Sequence, residues 1–389
     1  MKDTMKTASP RTRIGLNLMF ANRKLGGAWQ YIEGLLDALA AVDAPFTYIA
    51  YAHDESSCLV PDDSRFLVRR LPAIASTSRA RRVLAEHTLI PLLGIQDGVR
   101  LMHWFGDVQS VFGGPPAAVT IYDLRPFDKV DERPHPRDRY VRLLMGRSVR
   151  RASAVFPMSQ STAKSLAARF PVADDRVTVI PHAVPWTFKP SDPSAVTAFR
   201  QKYGVAENFW LYVSHFYPHK NHRALFEAYS LLRKRVADCW PLVLCGKKNG
   251  AEREIERWTH ELGIAQHTIW LPSIPEEEMP TLYSAASAMV FPSKYEGGGI
   301  PLMEAIACGC PVTASNIPTT LEFGGDAVAT FDPSTAESIA AAMERLFYDP
   351  GFRDRLRIAG LCWASRRRPA DVGALLTGAY TRSLRTVNA

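Results

Sequence analysis

Glu296 and Glu304 stand on either side of three consecutive glycines in the stretch AMVFPSKYEGGGIPLMEAIACGCPV, residues 288–312. An apolar, strand-like run precedes the first glutamate, and a short helical pattern carries the second. Glycines at 297–299 let backbone N–H groups turn toward a ligand, which suits a phosphate or a sugar oxygen. Pro301 fits the first turn of a helix, where its missing N–H is not needed. The spacing predicts Glu304 in that same turn, where the helix dipole favours a carboxylate. From there it can accept hydrogen bonds from two vicinal hydroxyls, such as a ribose offers. Glu296, at the strand end, would face a reacting sugar.

Two further motifs offer anion chemistry. SHFYPHKNH (214–222) follows the apolar run WLYV, and Lys220 falls just before a helix that Asn221 can cap. An ammonium beside exposed helix N–H groups attracts an anion, and His215 at the strand end is a second donor to it. A solvated lysine is the plainer reading. Gly26-Gly27, after the opening strand, allows close backbone approach to a phosphate, although any strand-to-helix turn can use glycine.

These residues need a scaffold of strands that end at a common crevice. RIGLNLMFA (13–21), FTYIAYA, RFLVRRL, LMHWF, AAVTIYDL and SAVFPMS read as strands. A helix is expected from about Ser161, whose hydroxyl suits an N-cap, and RVTVIPHAV (176–184) is expected to close this half. PWTFKPSDPS (185–194) is the best linker. The alternation restarts with WLYVSHF, NHRALFEAYSLLRKR, PLVLCG, AEREIERWTHELG, HTIWLPS, PEEEMPTLYSAA and AMVFPS. Strands joined by helices favour parallel sheets covered on both faces. The expected class is α/β, with two Rossmann-like domains whose parallel sheets face each other across a cleft. Expected boundaries are 1–188 for the first domain, 189–365 for the second, and a helix at 366–389 packing back toward the first domain.

A chain of 389 residues is long for one core and favours two. No run approaches the eighteen or so apolar residues of a membrane span, and the opening MKDTMKTASPRTR is polar, so a cytoplasmic location is expected. Cys58, Cys239, Cys245, Cys308, Cys310 and Cys362 are too dispersed for a disulfide framework, and Cys308-Gly-Cys310 lacks partners at zinc-site spacing. The net charge of +8, from 47 basic and 39 acidic residues, is uneven. Arg69, Arg70, Arg79, Arg81 and Arg82 form one cluster; Arg133, Arg137, Arg139, Arg142, Arg147, Arg150 and Arg151 form another. They read as a solvated helix face or as attraction to an anionic partner. Nothing resembling a nucleic-acid-binding module accompanies them, so a membrane surface ranks above nucleic acid.

The block EGGGIPLMEAIACGCPV resembles the Glu-x7-Glu signature of the family 4 retaining glycosyltransferases, which have the GT-B fold. SHFYPHKNHRALFEAY resembles that family's diphosphate-binding strand–loop–helix, GGAWQYIEGLL its N-terminal glycine loop, and MSQSTAKSLAARF with RVTVIPHAV the end of its first domain. The resemblance implies transfer of a hexose, mannose by family frequency, from a nucleotide-sugar (GDP-mannose or a UDP-sugar) to a glycan or lipid-linked acceptor. It implies retention at the anomeric carbon, no cofactor and no metal. Glu296, Tyr122 and Asp123 would lie at the reacting centre. Gly27, Ser214, His215, Lys220, Gly298, Gly299, Ile300 and Glu304 would hold the donor, with the base near Leu271–Pro275 and Gly246–Lys248.

The sequence departs from the family pattern at four places. His215 stands where an arginine is common, Ser214 for glycine, Tyr122 for histidine, and Gly298 for phenylalanine. The last leaves extra space or flexibility. These departures sustain an alternative, a non-catalytic scaffold or nucleotide-sugar sensor. A sugar-phosphate synthase with a soluble acceptor is a third reading.

Overall fold

The computed structural model describes residues 11–71, 78–128, 136–271 and 273–388. Arg133, Pro272 and residues 1–10 of the polar N-terminus lie outside the described residues. The first half runs β1 (Thr12–Asn17), α1 (Gly27–Ala40), β2 (Phe46–Ala52), β3 (Phe66–Arg70), α2 (Arg79–His87), α3 (Leu89–Gln96), β4 (Leu101–Trp104), β5 (Ala117–Ile121), α4 (Pro136–Arg151), β6 (Ala154–Pro157) and α5 (Gln160–Arg169). The second runs α6 (Pro193–Tyr203), β7 (Trp210–Val213), α7 (His222–Arg235), β8 (Leu242–Cys245), α8 (Glu252–Glu261), β9 (Thr268–Leu271), α9 (Met279–Ala285), β10 (Ala288–Phe291), α10 (Ile300–Ala307), β11 (Val312–Ser315), α11 (Pro318–Gly324), β12 (Val328–Phe331), α12 (Ala336–Tyr348) and α13 (Pro350–Ser365). Helix α14 (Pro369–Asn388) ends the described chain.

Each half holds one six-stranded parallel sheet, in the orders β3-β2-β1-β4-β5-β6 and β12-β11-β10-β7-β8-β9. Counted from each half's own first strand, both follow the same doubly wound order. Strands β4, β5, β6, β10 and β11 are buried along their whole length, which is why they are mostly apolar and show no in–out alternation, with only His103, Thr120, Thr313 and Ser315 as polar members. In such sheets, ligands bind beyond the carboxyl ends of the strands, where the order reverses. Those points fall between β1 and β4 and between β7 and β10. The loops leaving β1, β7 and β10 carry Gly26-Gly27, Lys220 and the three glycines.

Several local expectations are corrected. The opening strand is shorter than 13–21, stopping at Asn17, after which Met19 N donates to the Asn17 side chain at 3.2 Å and turns the chain. Residues 176–184, expected to close the first half, do so without a strand of their own among the described residues, an isolated bridge joining Val177 to Val155. Helix α5 starts at Gln160 and its N-cap is Ser159, whose hydroxyl accepts from Thr162 N at 3.0 Å, so Ser161 is already helical. Asn221 occupies the N-cap position of α7 at φ 59°, yet its side chain does not cap. Its amide instead donates to the carbonyls of Pro292 and Pro333 at 3.1 and 3.0 Å, tying the α7 start to the β10 and β12 exits.

The last helix crosses back to the first half and packs on α1. Tyr380 of α14 is hydrogen-bonded to His103 Nδ1 on β4 at 2.7 Å, while His103 Nε2 meets Thr120 on β5 at 2.8 Å. Burial holds that imidazole neutral, its pKa lowered to about 3.

Candidate active site

Between the two sheets lies a cleft of about 2880 Å³, and all eleven residues singled out from the sequence line it. Six stretches contribute them: Gly27 from the β1–α1 turn, Tyr122 and Asp123 after β5, Ser214 and His215 after β7, Lys220 before α7, Gly298 and Gly299 after β10, and Ile300 and Glu304 from α10, with Glu296 just ahead of the glycines.

Glu304 is fully enclosed, 2% exposed. Helix α10 starts at Ile300, which puts Glu304 past the first turn; the expected help from the helix terminus is therefore small. One oxygen accepts from Tyr283 Oη on α9 at 2.8 Å. Burial pushes its pKa up to about 8, the tyrosine bond working the other way and the charge of Glu276 adding to the rise. A buried carboxyl with a single hydrogen bond among the described residues retains capacity for further donors.

Lys220 and Glu296 are not separate contacts. Lys220 Nζ lies 2.6 Å from Glu296 Oε1 in a largely buried ion pair. Thr319 Oγ1 on α11 donates to the Glu296 carbonyl at 2.7 Å, and Tyr212 Oη to the Lys220 carbonyl at 2.6 Å, so both backbones are fixed. The diphosphate-binding cation and the sugar-facing acid expected from the sequence therefore neutralise one another.

His215 is a neutral donor. Its Nδ1 accepts from Lys247 N at 3.1 Å, which leaves the proton on Nε2. Burial, then Lys247 and Lys220, lower its pKa. Its Nε2 faces the glycine turn of the opposite domain: a Cβ built on Gly26 would meet it at 3.3 Å. The Ser214 hydroxyl donates to the His215 carbonyl at 2.9 Å.

The first domain closes tightly on the glycine loop. A Cβ at Gly297 would sit 2.4 Å from the Tyr122 carbonyl oxygen, and one at Gly298 would sit 2.5 Å from Met158 Cε. The extra space expected at Gly298 is thus taken by the Met158 methyl. Tyr122 lines the cleft, but its ring packs edge-on against Tyr31 at 5.5 Å and its hydroxyl is buried with no hydrogen-bond partner among the described residues. Asp123 accepts from Arg125 N at 3.0 Å; burial first, and then Asp107, raise its pKa to about 6.

Several cleft residues escaped sequence reasoning. Arg137 of the second basic cluster lines the cleft half-buried, paired at 2.5 Å with the buried Asp107 behind it, which at φ 67° also accepts from Tyr122 N at 2.9 Å. Arg82 likewise lines the cleft, 3.9 Å from Glu86, whose pKa burial raises to about 7. Trp270 donates to the Gly246 carbonyl at 2.7 Å, with Lys248 Nζ 5.3 Å over its ring. It shares this wall with Gly246, Lys247, Leu271 and Ser273–Pro275. A tryptophan in a strand gave no signal beyond that of a core residue.

Family models tile the chain in the same two halves. The model described as "Glycosyltransferase Family 4" matches residues 25–186, and that described as "Glycosyl transferases group 1" matches residues 196–361. The chain is 31% identical over 255 residues to O-antigen chain mannosyltransferase B of Escherichia coli, a match covering 64% of this chain and 66% of that one. It is 32% identical over 240 residues to the serotype-specific mannosyltransferase WbdA of Escherichia coli, covering 61% of this chain and 29% of that protein. The chain therefore spans less than two thirds of either relative's length. Among solved structures, sucrose-phosphate synthase from Thermosynechococcus elongatus superposes with a TM-score of 0.76 at 21% identity, over 97% of this chain and 100% of that one.

Proposed function

We propose a sugar-transfer reaction for this chain, which belongs to the GT-B glycosyltransferases and resembles bacterial mannosyltransferases. The donor is a nucleotide-sugar, GDP-mannose ahead of a UDP-sugar, and the acceptor is a hydroxyl of a surface glycan or its lipid-linked precursor. The mannosyltransferase relatives motivate the sugar. One observation carries the reading: a buried, underpartnered carboxyl and a Lys–Glu pair line the same cleft on either side of a helix start.

In this reading the ribose diol donates to Glu304. The diphosphate takes Lys220 away from Glu296, which releases Glu296 toward the sugar. Lys220, the His215 Nε2–H and the amides at 297–300 offset the charge of the departing diphosphate without a metal. Retention follows from a front-face substitution. The C1–O bond to phosphate breaks as the C1–O bond to the acceptor forms on the same face, and the acceptor proton passes to the leaving phosphate oxygen. A covalent glycosyl–Glu296 adduct seen by mass spectrometry would overturn that route in favour of double displacement.

The acceptor side supports a peripheral position on an anionic bilayer. Helices α2, α3 and α4 hold two acids, Glu86 and Asp138, and both are buried. Their exposed residues include Arg79, Arg81, Arg139, Arg142, Arg147, Arg150 and Arg151, interleaved with Leu84, Leu92, Ile95 and Leu143. No described helix is long and apolar enough to cross a membrane.

Incubation with GDP-mannose or UDP-sugars and a mixture of glycan acceptors tests the reading. Product formation by the parent and its loss in Glu296→Ala are expected. Tight donor binding with no turnover of any donor would favour the sensor.

A further inference from the structure

The N–H groups that open α5, in the first domain, are satisfied from the second. Gln160 N donates to one oxygen of Glu322 at 2.7 Å and Ser161 N to the other at 3.0 Å. Ser159 Oγ takes the Thr162 N–H, so the opening donors of the helix are all partnered. Glu322 sits on α11, and so does Thr319, which holds the carbonyl of Glu296 at 2.7 Å. Around the same loop, Leu124 N donates to Tyr295 Oη at 3.0 Å and Met158 fills the space at Gly298. The Glu296 loop is thus sandwiched between the docking edge of the first domain and α11.

We propose that Glu322 is a positioning residue: by capping α5 across the cleft it latches the two domains, and through Thr319 on the same helix it ties that docking to the placement of Glu296. The inference rests on the sugar-transfer reading and adds to it a mechanical condition. Donor binding draws chiefly on Lys220, Glu304 and the glycine amides of the second domain, with Gly27 approaching from the first, whereas the reacting geometry needs the latch closed. A carboxylate receiving two backbone N–H groups at a helix N-terminus, where the dipole favours its charge, is a strong contact for its size. Arg367, held over Trp363 at 4.7 Å, adds a cation close enough to interact with Glu322.

Two variants approach the latch from opposite sides. Glu322→Ala removes the acceptor. Gln160→Pro removes one donor at the first helical residue, where proline is tolerated, so α5 itself should stay intact. Each should lower kcat by roughly ten- to a hundredfold, the worth of hydrogen bonds to a charged group. The Kd for GDP or UDP by calorimetry and the KM for donor should stay within about twofold. Combined, the two should cost little more than Glu322→Ala alone, because they break one contact. Glu322→Asp should recover part of the loss. Small-angle scattering of the full chain should show a larger radius of gyration for both variants than for the parent. Unchanged kcat and radius, or fully additive effects, would overturn the latch. So would a nucleotide affinity that falls in step with kcat, since the residue would then belong to donor binding. If no donor is turned over by the parent, the sugar-transfer reading fails, while the scattering comparison still decides the latch.

Discussion

Replacing Glu304 by glutamine should make the unliganded protein more stable while weakening its hold on nucleotides. In the folded state this carboxyl titrates near 8, against an ordinary value of 4.5, because burial penalises its charge. Below pH 4.5 both folded and unfolded chains carry it protonated, and there is no penalty. As pH rises, the unfolded chain ionises while the folded one resists, so stability is lost progressively up to about pH 8 and no further. At pH 7 the penalty is about 3 kcal/mol, taking ~1.4 kcal/mol per pH interval. Glutamine keeps an oxygen to accept from Tyr283 and cannot ionise. The gain corresponds to a melting temperature higher by roughly 5–10 °C for a domain of this size. Scanning fluorimetry of parent and variant at pH 5, 7 and 9 reads it directly: the difference should be small at pH 5 and largest at pH 9. Ribose hydroxyls favour the ionised form, so GDP binding by the parent should release a proton at pH 7. Calorimetry in buffers of different ionisation enthalpy detects that release. A variant that melts below the parent at all three pH values would refute the reasoning, as would a difference that ignores pH.

Glu296→Gln should abolish transfer yet strengthen binding of GDP or UDP by about tenfold in calorimetry, since the phosphates no longer compete with a carboxylate for Lys220. Gly297→Ala should force the domains apart, because its methyl group would meet a backbone oxygen that cannot swing away. A loss of about 1–3 kcal/mol by denaturant titration and a marked fall in transfer are expected. Arg139→Glu with Arg150→Glu should lower partitioning onto phosphatidylglycerol vesicles by at least tenfold at low salt, at about 1 kcal/mol per residue. The same pair of changes should have no effect on phosphatidylcholine vesicles, and Arg253→Glu with Arg257→Glu on α8 should change neither.

Much of this architecture is legible in the residues because a parallel sheet buried on both faces leaves an apolar run that turn residues punctuate. The same local logic located Glu296, Glu304 and Lys220, since glycine, proline and charge after such a run mark a strand exit. What stayed hidden depends on distance through space. The Lys220–Glu296 pair joins residues 76 apart in sequence, and nothing local distinguishes a lysine aimed at a phosphate from one aimed at a carboxylate. The space left by Gly298 is filled from the opposite domain by Met158. Asn221 has the right chemistry for a cap but finds better acceptors in Pro292 and Pro333. Glu322 reads as an ordinary surface acid until α5 is placed against it.

The grip of Glu304 on a sugar diol is tested most directly by comparing GDP with its 2′,3′-dideoxy analogue on the parent and on Glu304→Ala. The parent should bind the dideoxy form at least tenfold more weakly, and the variant should bind the two alike. Equal discrimination by both proteins would place the ribose elsewhere and contradict the account.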